Sequence, residues 1–364
     1  MLAAPRNTVL VLQGGGGLGA YQIGAYEALH EAGLEPDWIA GTSIGAINAA
    51  VLAGNPPADR LARLEALWRE ISRPDGWGSG LSGEWLRLSH TESFWEALVL
   101  GQPHFFTPRL PGPFLSPPGS AAATSFYDTA PLLDTLGRLV DFAMVNRGSA
   151  RLTLAATNVE TGDLVFFDSS KITLGREHVL ASGSLPPAFP PVRIGDALYW
   201  DGACVSNTPL DAVLMDEPPG PTLVFLIDLW SASGAAPASI ADVLWRQKQI
   251  QYASRIAHGI ESVAAKIALR RAQGDGPAGA AIEIVHIIYH PTAEEIPNSD
   301  AEFSRPSIAA RRAAGLSDMR LALAHSGLGA ATGVAVHKVA RGAVQTRTQF
   351  RDVRPGVGWA PDPR

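Results

Sequence analysis

The sequence predicts an α/β protein in three layers, with helices on both faces of a mainly parallel central sheet. Apolar runs of strand length alternate along the chain with segments of helical periodicity, which is typical of strand–helix–strand units. Two glycine-rich turns from strand to helix also follow each other within residues 8–54. Because ligands of such sheets bind at the carboxyl ends of the strands, we expect both turns to lie at a ligand site.

Composition narrows the class of protein. A chain of 364 residues, 46% of them hydrophobic, can bury a large core, and we expect one domain over residues 1–330 and a tail over 331–364. The net charge of −6 and the lack of a basic stripe argue against a nucleic-acid partner. The single Cys204 cannot form an internal disulfide, which favours a reducing compartment. No window approaches the ~18 apolar residues of a membrane span. We therefore expect a cytoplasmic protein whose contact with a membrane or lipid surface is at most peripheral.

The first glycine-rich turn joins a predicted strand, residues 8–12, to a helix over residues 20–32. Its glycines at 14, 16 and 19 satisfy G-x-G-x-x-G, the dinucleotide fingerprint, which expects an acidic residue at the end of the second strand. Asp37 has about the right spacing but precedes the second strand. A packing turn without a ligand is a further alternative. We favour an oxyanion hole formed by the glycine amides, because a second turn follows closely.

The second turn joins a predicted strand, residues 38–40, to a helix over residues 46–53 through Gly41-Thr42-Ser43-Ile44-Gly45. This pentapeptide fits G-x-S-x-G, which places a serine hydroxyl on a sharp turn at the top of a sheet. Gly41 and Gly45 fit the close approach of strand and helix. The motif also occurs by chance in chains rich in Gly and Ala, but its position between a strand and a helix favours Ser43 as a nucleophile.

The next segment contains a predicted helix over residues 61–71 and then an aromatic-rich excursion over about residues 76–126. Eight aromatic residues fall in the excursion, about twice the share expected for its length: Trp77, Trp85, Phe94, Trp95, Phe105, Phe106, Phe114 and Phe126. We find no long periodicity there. The excursion is either a meander that buries its rings against the core or a cap or lid over an apolar site.

The remaining predicted elements complete the alternation of strands and helices. They are a helix from about residue 130 to 140, hairpins 152–168 and 192–200, a short helix at 178–182, a strand at 223–229, a helix or helix pair at 240–272, a strand at 282–289 and a helix at 308–323. The prolines around Pro187 predict a rigid bend before the second hairpin.

A serine nucleophile needs a base, and the residues offer two candidates. His286 or His290 with Asp201 would give the order Ser, Asp, His of α/β-hydrolases. Those enzymes, however, place the serine after several strands, and no histidine here stands in a motif. Asp201 follows an apolar strand and precedes Gly202, which exposes its carboxylate at a tight turn. By itself it could equally cap that turn.

Four blocks together resemble the patatin-like phospholipase family over residues 8–230: QGGGGLGAYQIGAYEAL, GTSIGAINA, ASGSLPPAFPPVRIGDALYW and DGACVSNTPL. The resemblance implies the patatin-like fold, Ser43 and Asp201 as a catalytic dyad without histidine, and an oxyanion loop. The loop would comprise Gly14, Gly15, Gly16 and Gly17. Matches at Gly202, Pro187, Phe189 and Asn207 imply residues that shape the site.

Two further features bear on the substrate. Leu18 stands where the family often has Arg or Lys after the glycines, so we expect no charge contact from the loop to a phosphate. Residues 303–307 and the helix after them resemble an extension found in a bacterial branch of the family.

The sequence therefore predicts a serine acyl hydrolase that cleaves acyl esters of lipids or similar substrates without a metal or cofactor. An acyltransferase or thioesterase acting on carrier-bound acyl groups, and a non-catalytic lipid-binding module, remain alternatives.

Overall fold

The computed structural model describes residues 7–348 apart from 74–81, 149, 217–219, 254–258, 263–264, 266–280, 293, 326–327 and 329–333. Its strands are β1 (Asn7–Leu12), β2 (Trp38–Gly41), β3 (Thr107–Pro108), β4 (Tyr127–Asp128), β5 (Arg151–Asn158), β6 (Leu164–Asp168), β7 (Val192–Ile194), β8 (Ala197–Asp201), β9 (Thr222–Asp228), β10 (Ile282–Ile288), β11 (Val334–Ala340) and β12 (Ala343–Arg347).

One sheet contains most of these strands, in the order β12-β11-β10-β9-β1-β2-β5-β8-β7, with β6 also paired to β5. The strands from β11 to β5 are parallel to one another. β12, β6, β8 and β7 add antiparallel pairs at the two sides. The predicted α/β class with a mainly parallel sheet is confirmed, and β1 lies at its centre between β9 and β2.

The described helices are α1 (Tyr21–Glu31), α2 (Ile44–Ala53), α3 (Pro57–Glu70), α4 (Gly83–Leu100), α5 (Ala130–Leu139), α6 (Phe142–Arg147), α7 (Arg176–Ser182), α8 (Leu210–Asp216), α9 (Ile240–Tyr252) and α10 (Arg305–Leu323). Alternate residues of β1 face opposite layers. Leu10 and Leu12 belong to a core with α1 and α2, whereas Val9 and Val11 pack with residues of α8. Helices therefore cover both faces of the sheet.

The helix of the C-terminal region packs tightly on the first helix. An added Cβ at Gly24 of α1 would lie 1.9 Å from the carbonyl oxygen of Arg312, and one at Gly315 of α10 would lie 2.0 Å from that of Tyr21. Only residues without a side chain allow two helix backbones to approach so closely. This contact fixes α10, and the loop that precedes it, against the first strand–helix unit.

Two expectations differ from the structure, and a third is described only in part. The excursion contains an 18-residue helix, α4, although no periodicity indicated one. The expected tail is wrong for residues 334–347, because β11 pairs with β10 and β12 pairs with β11; residues 349–364 lie outside the described part. The predicted helix or helix pair at 240–272 begins with α9, which ends at Tyr252 because Ala253 leaves the helical backbone angles. Residues 259–262 are again helical, and most of the continuation to residue 272 lies outside the described residues.

Candidate active site

Ser43 lies at the turn where β2 ends and α2 begins. Its backbone has φ 57° and ψ −126°, a conformation that costs a non-glycine residue free energy and is concentrated at functional sites. Its neighbours must be small: an added Cβ at Gly41 would lie 2.4 Å from the carbonyl oxygen of Gly45, and one at Gly45 would lie 2.2 Å from that of Leu12. The Ser43 amide donates to the Ser182 carbonyl at 3.0 Å, which holds the turn in place.

Asp201 ends β8 and is fully buried. Its Oδ1 accepts a hydrogen bond of 2.8 Å from the Ala203 amide. Its Oδ2 is also buried and has no hydrogen-bond partner among the described residues. Burial raises the pKa of Asp201 to about 7, against the opposing effects of the Ala203 amide and the nearby Ser43 hydroxyl. The structure thus brings together the two side chains that the resemblance paired: the Ser43 hydroxyl is close enough to lower the pKa of Asp201, although its contact with Oδ2 falls outside hydrogen-bond geometry.

The backbone around Asp201 is fixed by the neighbouring strand. β8 runs antiparallel to β5 with Asp201 opposite Ala156, and the Thr157 hydroxyl donates to the Asp201 carbonyl at 3.0 Å. At Gly202 an added Cβ would lie 2.8 Å from the carbonyl oxygen of Ala155. Gly202 therefore allows the chain to turn directly against β5, which keeps the carboxyl of Asp201 at the end of the sheet.

Gly14 lies between the serine and the Asp201 segment. An added Cβ there would lie 2.8 Å from Cβ of Ser43 and 2.3 Å from Oδ1 of Asn207. Asn207 holds this residue from both sides, since its amide nitrogen Nδ2 donates to the Gly14 carbonyl at 2.9 Å and its carbonyl accepts from the Gly14 amide at 3.2 Å. The indole of Trp230 also donates to the Gly14 carbonyl, at 2.7 Å. The carbonyl and the amide of Gly14 are therefore both already hydrogen-bonded to other residues.

The other glycines of the loop form the start of a short 3-10 helix, Gly16–Ala20. The amides in the first turn of a helix have no carbonyl of that helix to bond. Gly16 has φ 53°, and an added Cβ there would lie 2.1 Å from the carbonyl oxygen of Asp300. Gly17 faces Glu302 instead, 2.3 Å from its carbonyl oxygen by the same measure. Gly14, Gly15 and Gly16 line the cavity that contains Ser43, whereas Gly17 packs behind it.

That cavity has a volume of about 250 Å³ and a mainly apolar lining. Four aromatic rings form what we call the aromatic wall: Phe105, Phe106, Tyr127 and Phe189. Their centroids lie between 4.8 and 6.3 Å apart. The proline bend supports this wall, because the carbonyls of Pro187 and Ala188 accept from the amides of Phe126 and Tyr127 at 3.3 and 3.0 Å. Pro187 itself does not line the cavity; Phe189 and Asn207 do.

The aromatic-rich excursion buries some of its rings and exposes others. Phe105 and Phe106 are buried in the core and line the cavity, together with Ala97 and Leu98 from the end of α4. Trp85 and Phe114, by contrast, are 65% and 89% exposed. The excursion therefore forms one wall of the cavity, and the prediction of a lid that moves stays untested.

Four polar residues that line the cavity were not predicted from the sequence: Trp230, Lys248, Tyr252 and Asp300. Trp230 had a usable signal, because it follows the buried strand β9 at its carboxyl end. Tyr252 packs against Trp230 with ring centroids 5.4 Å apart and the rings tilted by 52°. Burial, then the charges of Asp201 and Asp300, raise the pKa of Tyr252 to about 12, so that it keeps its proton. The other three lie on segments without a motif.

The alternatives weighed from the sequence find no support in the geometry. His286 pairs with Asp228 at 2.9 Å, and His290 contacts the Ile288 carbonyl; neither lines the cavity. Asp37 accepts from the Thr8 amide at the amino end of β2, where it cannot reach a ribose at the carboxyl end.

Within the described residues, no helix is both long and apolar enough to cross a membrane.

The α/β sheet thus carries a strained serine turn of the G-x-S-x-G type, with a glycine loop beside it and a buried carboxyl next to an apolar cavity. The family model described as patatin-like phospholipase matches residues 10–214. Because the match covers more than half of the chain, the protein belongs to the patatin-like phospholipase family. A second model, described as patatin phospholipase, matches residues 277–331, in agreement with the extension expected from residue 303 onward.

Individual relatives match short segments. Lysophospholipase nte1 of Aspergillus terreus is 54% identical over 48 residues, which is 13% of this chain and 3% of that protein. Triacylglycerol lipase ptl3 of Schizosaccharomyces pombe is 51% identical over 47 residues, which is 13% of this chain and 10% of that protein. The chain thus matches a small fraction of the length of these curated relatives.

Among solved structures, VipD from Legionella pneumophila is 14% identical, with 90% of this chain and 71% of that chain covered and a TM-score of 0.35. Human GIVD cytosolic phospholipase A2 is 12% identical, with 89% and 59% covered and a TM-score of 0.41.

Proposed function

We propose that the protein is a serine acyl hydrolase that cleaves ester bonds of lipid substrates through a dyad of Ser43 and Asp201. One observation carries this proposal: the strained serine of the turn lines an apolar cavity of about 250 Å³, beside a fully buried carboxyl with an unpartnered oxygen. A buried polar atom without a partner is costly and calls for an explanation. The explanation we propose is that Asp201 Oδ2 accepts the Ser43 proton during the reaction.

The reaction then has two steps. Asp201 Oδ2 accepts the Ser43 proton as the serine oxygen attacks the ester carbonyl, and the proton passes to the leaving alcohol as the acyl–oxygen bond breaks. In the second step Asp201 takes a proton from water as the water oxygen attacks the acyl-enzyme, and this proton passes to the Ser43 oxygen as the acyl–serine bond breaks and the acid is released. A base must lie within ~3 Å of the proton it takes, or one water away, and such contacts often tighten only when substrate binds.

The glycine loop supplies the site for the negative charge of the tetrahedral intermediates. The amides of Gly15 and Gly16 stand at the free start of a 3-10 helix that lines the cavity. Ser43 is the N-cap of α2, so the positive end of that helix dipole also faces the reacting carbonyl. Preorganised donors of this kind are usually the largest single contribution to acyl transfer. We assign the acyl chain of the substrate to the aromatic wall.

A product screen tests the proposed activity. The protein is incubated with phospholipids, neutral glycerides, acyl thioesters and hydroxyalkanoate esters, and the released acids are separated by chromatography. Release of free acid from an oxygen ester supports the proposal. Transfer of the acyl group to an added alcohol, or a preference for thioesters, would favour the acyltransferase or thioesterase alternative. Failure of a fluorophosphonate probe to label Ser43 would favour a non-catalytic module.

The activity is expected to rise with pH through a midpoint near 7. Asp201 must be ionised to accept a proton, and burial raises its pKa to about 7, so kcat/KM falls about tenfold for each pH unit below that midpoint. Initial rates on a short-chain ester between pH 5 and 9, followed by chromatography of the released acid, give the profile. A rate that is flat from pH 5 to 8 would contradict the assignment of Asp201 as the base.

Substitution of Gly15 by alanine is expected to lower kcat by about 10²-fold with little loss of stability. An added Cβ would lie 2.9 Å from Cδ1 of Leu229 and 3.2 Å from Nε1 of Trp230, so flexible side-chain atoms and the loop must shift slightly. The displaced amides then miss the oxyanion. Thermal denaturation measured beside the kinetics separates this effect from unfolding.

The matched control is Gly137→Ala in α5, where an added Cβ meets only Nη1 of Arg176, at 3.5 Å. Alanine favours a helix interior, so this variant should keep its activity and its stability. Full kcat in a folded Gly15→Ala protein would remove the glycine loop from the mechanism.

A further inference from the structure

Lys248 and Asp300 are the two charged side chains among the described residues that line the cavity. Lys248 comes from α9, and Asp300 from a short 3-10 helix, Ser299–Ala301. The Lys248 ammonium nitrogen lies 3.2 and 3.0 Å from the two carboxylate oxygens of Asp300. The side chains are 37% and 18% exposed. Since both line the cavity and both reach solvent, the ion pair stands where the cavity opens.

The two groups bond to each other and keep capacity for a further partner. An ammonium group has three donors, and a carboxylate has about four acceptor positions. Within the described residues, Lys248 Nζ and the Asp300 carboxylate make no other hydrogen bond or ion pair. Ion pairs that remain partly exposed contribute little to stability, so a ligand can replace this contact at small cost.

The ion pair of Lys248 and Asp300 lies next to the glycine loop beside Ser43. The carbonyl of Asp300 packs directly on Gly16 of the glycine loop, and Tyr252, on the same helix as Lys248, also lines the cavity. The aromatic wall is suited to an apolar chain and contains no charged side chain that could form an ion pair. An ester bound with its carbonyl at Ser43 and its acyl chain on that wall therefore leaves its alcohol part with the side of the cavity that carries the ion pair.

We propose that Lys248 and Asp300 form a subsite for the alcohol part of the ester, and that this subsite selects an alcohol carrying an anionic and a cationic group together. The inference rests on the proposed acyl hydrolase function, because it assigns one side of that substrate. An anion alone would meet the Asp300 carboxylate as well as Lys248, and a cation alone would meet the ammonium. A zwitterionic group replaces the internal ion pair with two new ones and leaves no charge unpartnered.

Binding to the Ser43→Ala protein tests the subsite without turnover. Calorimetric titrations compare dodecylphosphocholine, dodecyl phosphate and dodecyltrimethylammonium, each below its micelle concentration. We expect the zwitterion to bind about tenfold more tightly than either singly charged amphiphile. Adding Lys248→Met or Asp300→Asn should abolish this preference, whereas Lys248→Arg should keep it. Equal affinities for the three amphiphiles in the Ser43→Ala protein would overturn the inference.

Turnover separates the subsite from a structural role of the ion pair. In the otherwise unaltered protein, Lys248→Met should raise KM for dibutyroyl phosphatidylcholine about tenfold, and any loss of kcat/KM for p-nitrophenyl butyrate, whose alcohol part is not a zwitterion, should be clearly smaller. The control is Arg320→Met, which removes an exposed ion pair with Glu31 between α10 and α1. This variant should keep the KM and kcat/KM of the parent for both substrates. Equal losses on both substrates in Lys248→Met would assign the pair to structure alone. If the zwitterion preference holds in binding but no ester is cleaved, the subsite stands and the proposed hydrolase function fails.

Discussion

Replacement of Ser43 by alanine is expected to lower kcat/KM on a p-nitrophenyl acyl ester by about 10⁴-fold or more. The variant lacks the oxygen that would form the acyl-enzyme, and the glycine loop alone can only assist direct attack by water. Alanine has to adopt the same backbone angle of φ 57°, and the side-chain contact that it removes is that of the serine hydroxyl with Asp201. We therefore expect the melting temperature to stay within a few degrees of the parent value.

Two controls make this result specific. Ser170→Ala removes a hydroxyl that donates to Asp168 at 2.7 Å at the end of β6, outside the cavity, and should keep full activity. Intact-mass measurement after treatment with a fluorophosphonate should show one adduct in the parent and in Ser170→Ala, and none in Ser43→Ala. An adduct of equal yield in Ser43→Ala would show that another residue is the nucleophile.

The position of Ser43 beside the glycine loop could be predicted from the sequence because both turns are local patterns on adjacent strands. β1 pairs with β2 in parallel with Leu12 opposite Gly41, so the two turns that follow must lie next to each other. The limits of β2 and α2 also agree with the pattern to within two residues. Local sequence patterns at the ends of two adjacent strands were therefore enough to predict this part of the site.

The position of Asp201 could not be worked out in the same way. Its neighbourhood depends on β8 pairing antiparallel with β5, and no spacing in the sequence predicts which strand an isolated hairpin will join. From the residues alone Asp201 could equally have capped a turn, and only the family resemblance selected it. Lys248 and Asp300 were not predicted for the same reason: they come from distant segments of the sequence and meet only in the folded chain.

Helix α4 and strand β11 escaped prediction because their buried faces are not apolar. The residues of α4 that face the core are His90, Ser93 and Ala97, while Trp85 and Leu88 are exposed, so the usual hydrophobic period is absent. In β11 the buried positions alternate as expected for a strand, but His337 occupies the middle one between Ala335 and Val339. Periodicity of hydrophobic residues detects an element only when its inner face is hydrophobic.

Replacement of Asp201 by asparagine is expected to lower kcat/KM by 10²–10⁴-fold, about the range of general-base catalysis. The amide has nearly the same shape, and its oxygen can still accept from the Ala203 amide, as Oδ1 of Asp201 does at 2.8 Å. It cannot take the serine proton. The residual rate should lose the dependence on pH that the parent shows near 7. Rates of parent and variant from pH 5 to 9 on one ester provide the comparison.

The same substitution should increase stability, with a definite dependence on pH. Burial raises the pKa of Asp201 from 3.8 to about 7, so the folded state holds the proton more tightly than the unfolded state. The contribution of this group to the free energy of unfolding is fully present below pH 4 and is lost as the pH rises through 7. Asparagine carries no such penalty, so the variant should melt at a higher temperature than the parent at pH 8 and at a similar one at pH 4. A buried acid that is destabilising when ionised is kept only where its charge is used. If Asp201→Asn were instead less stable than the parent at pH 8, the role of Asp201 would be to hold the turn together.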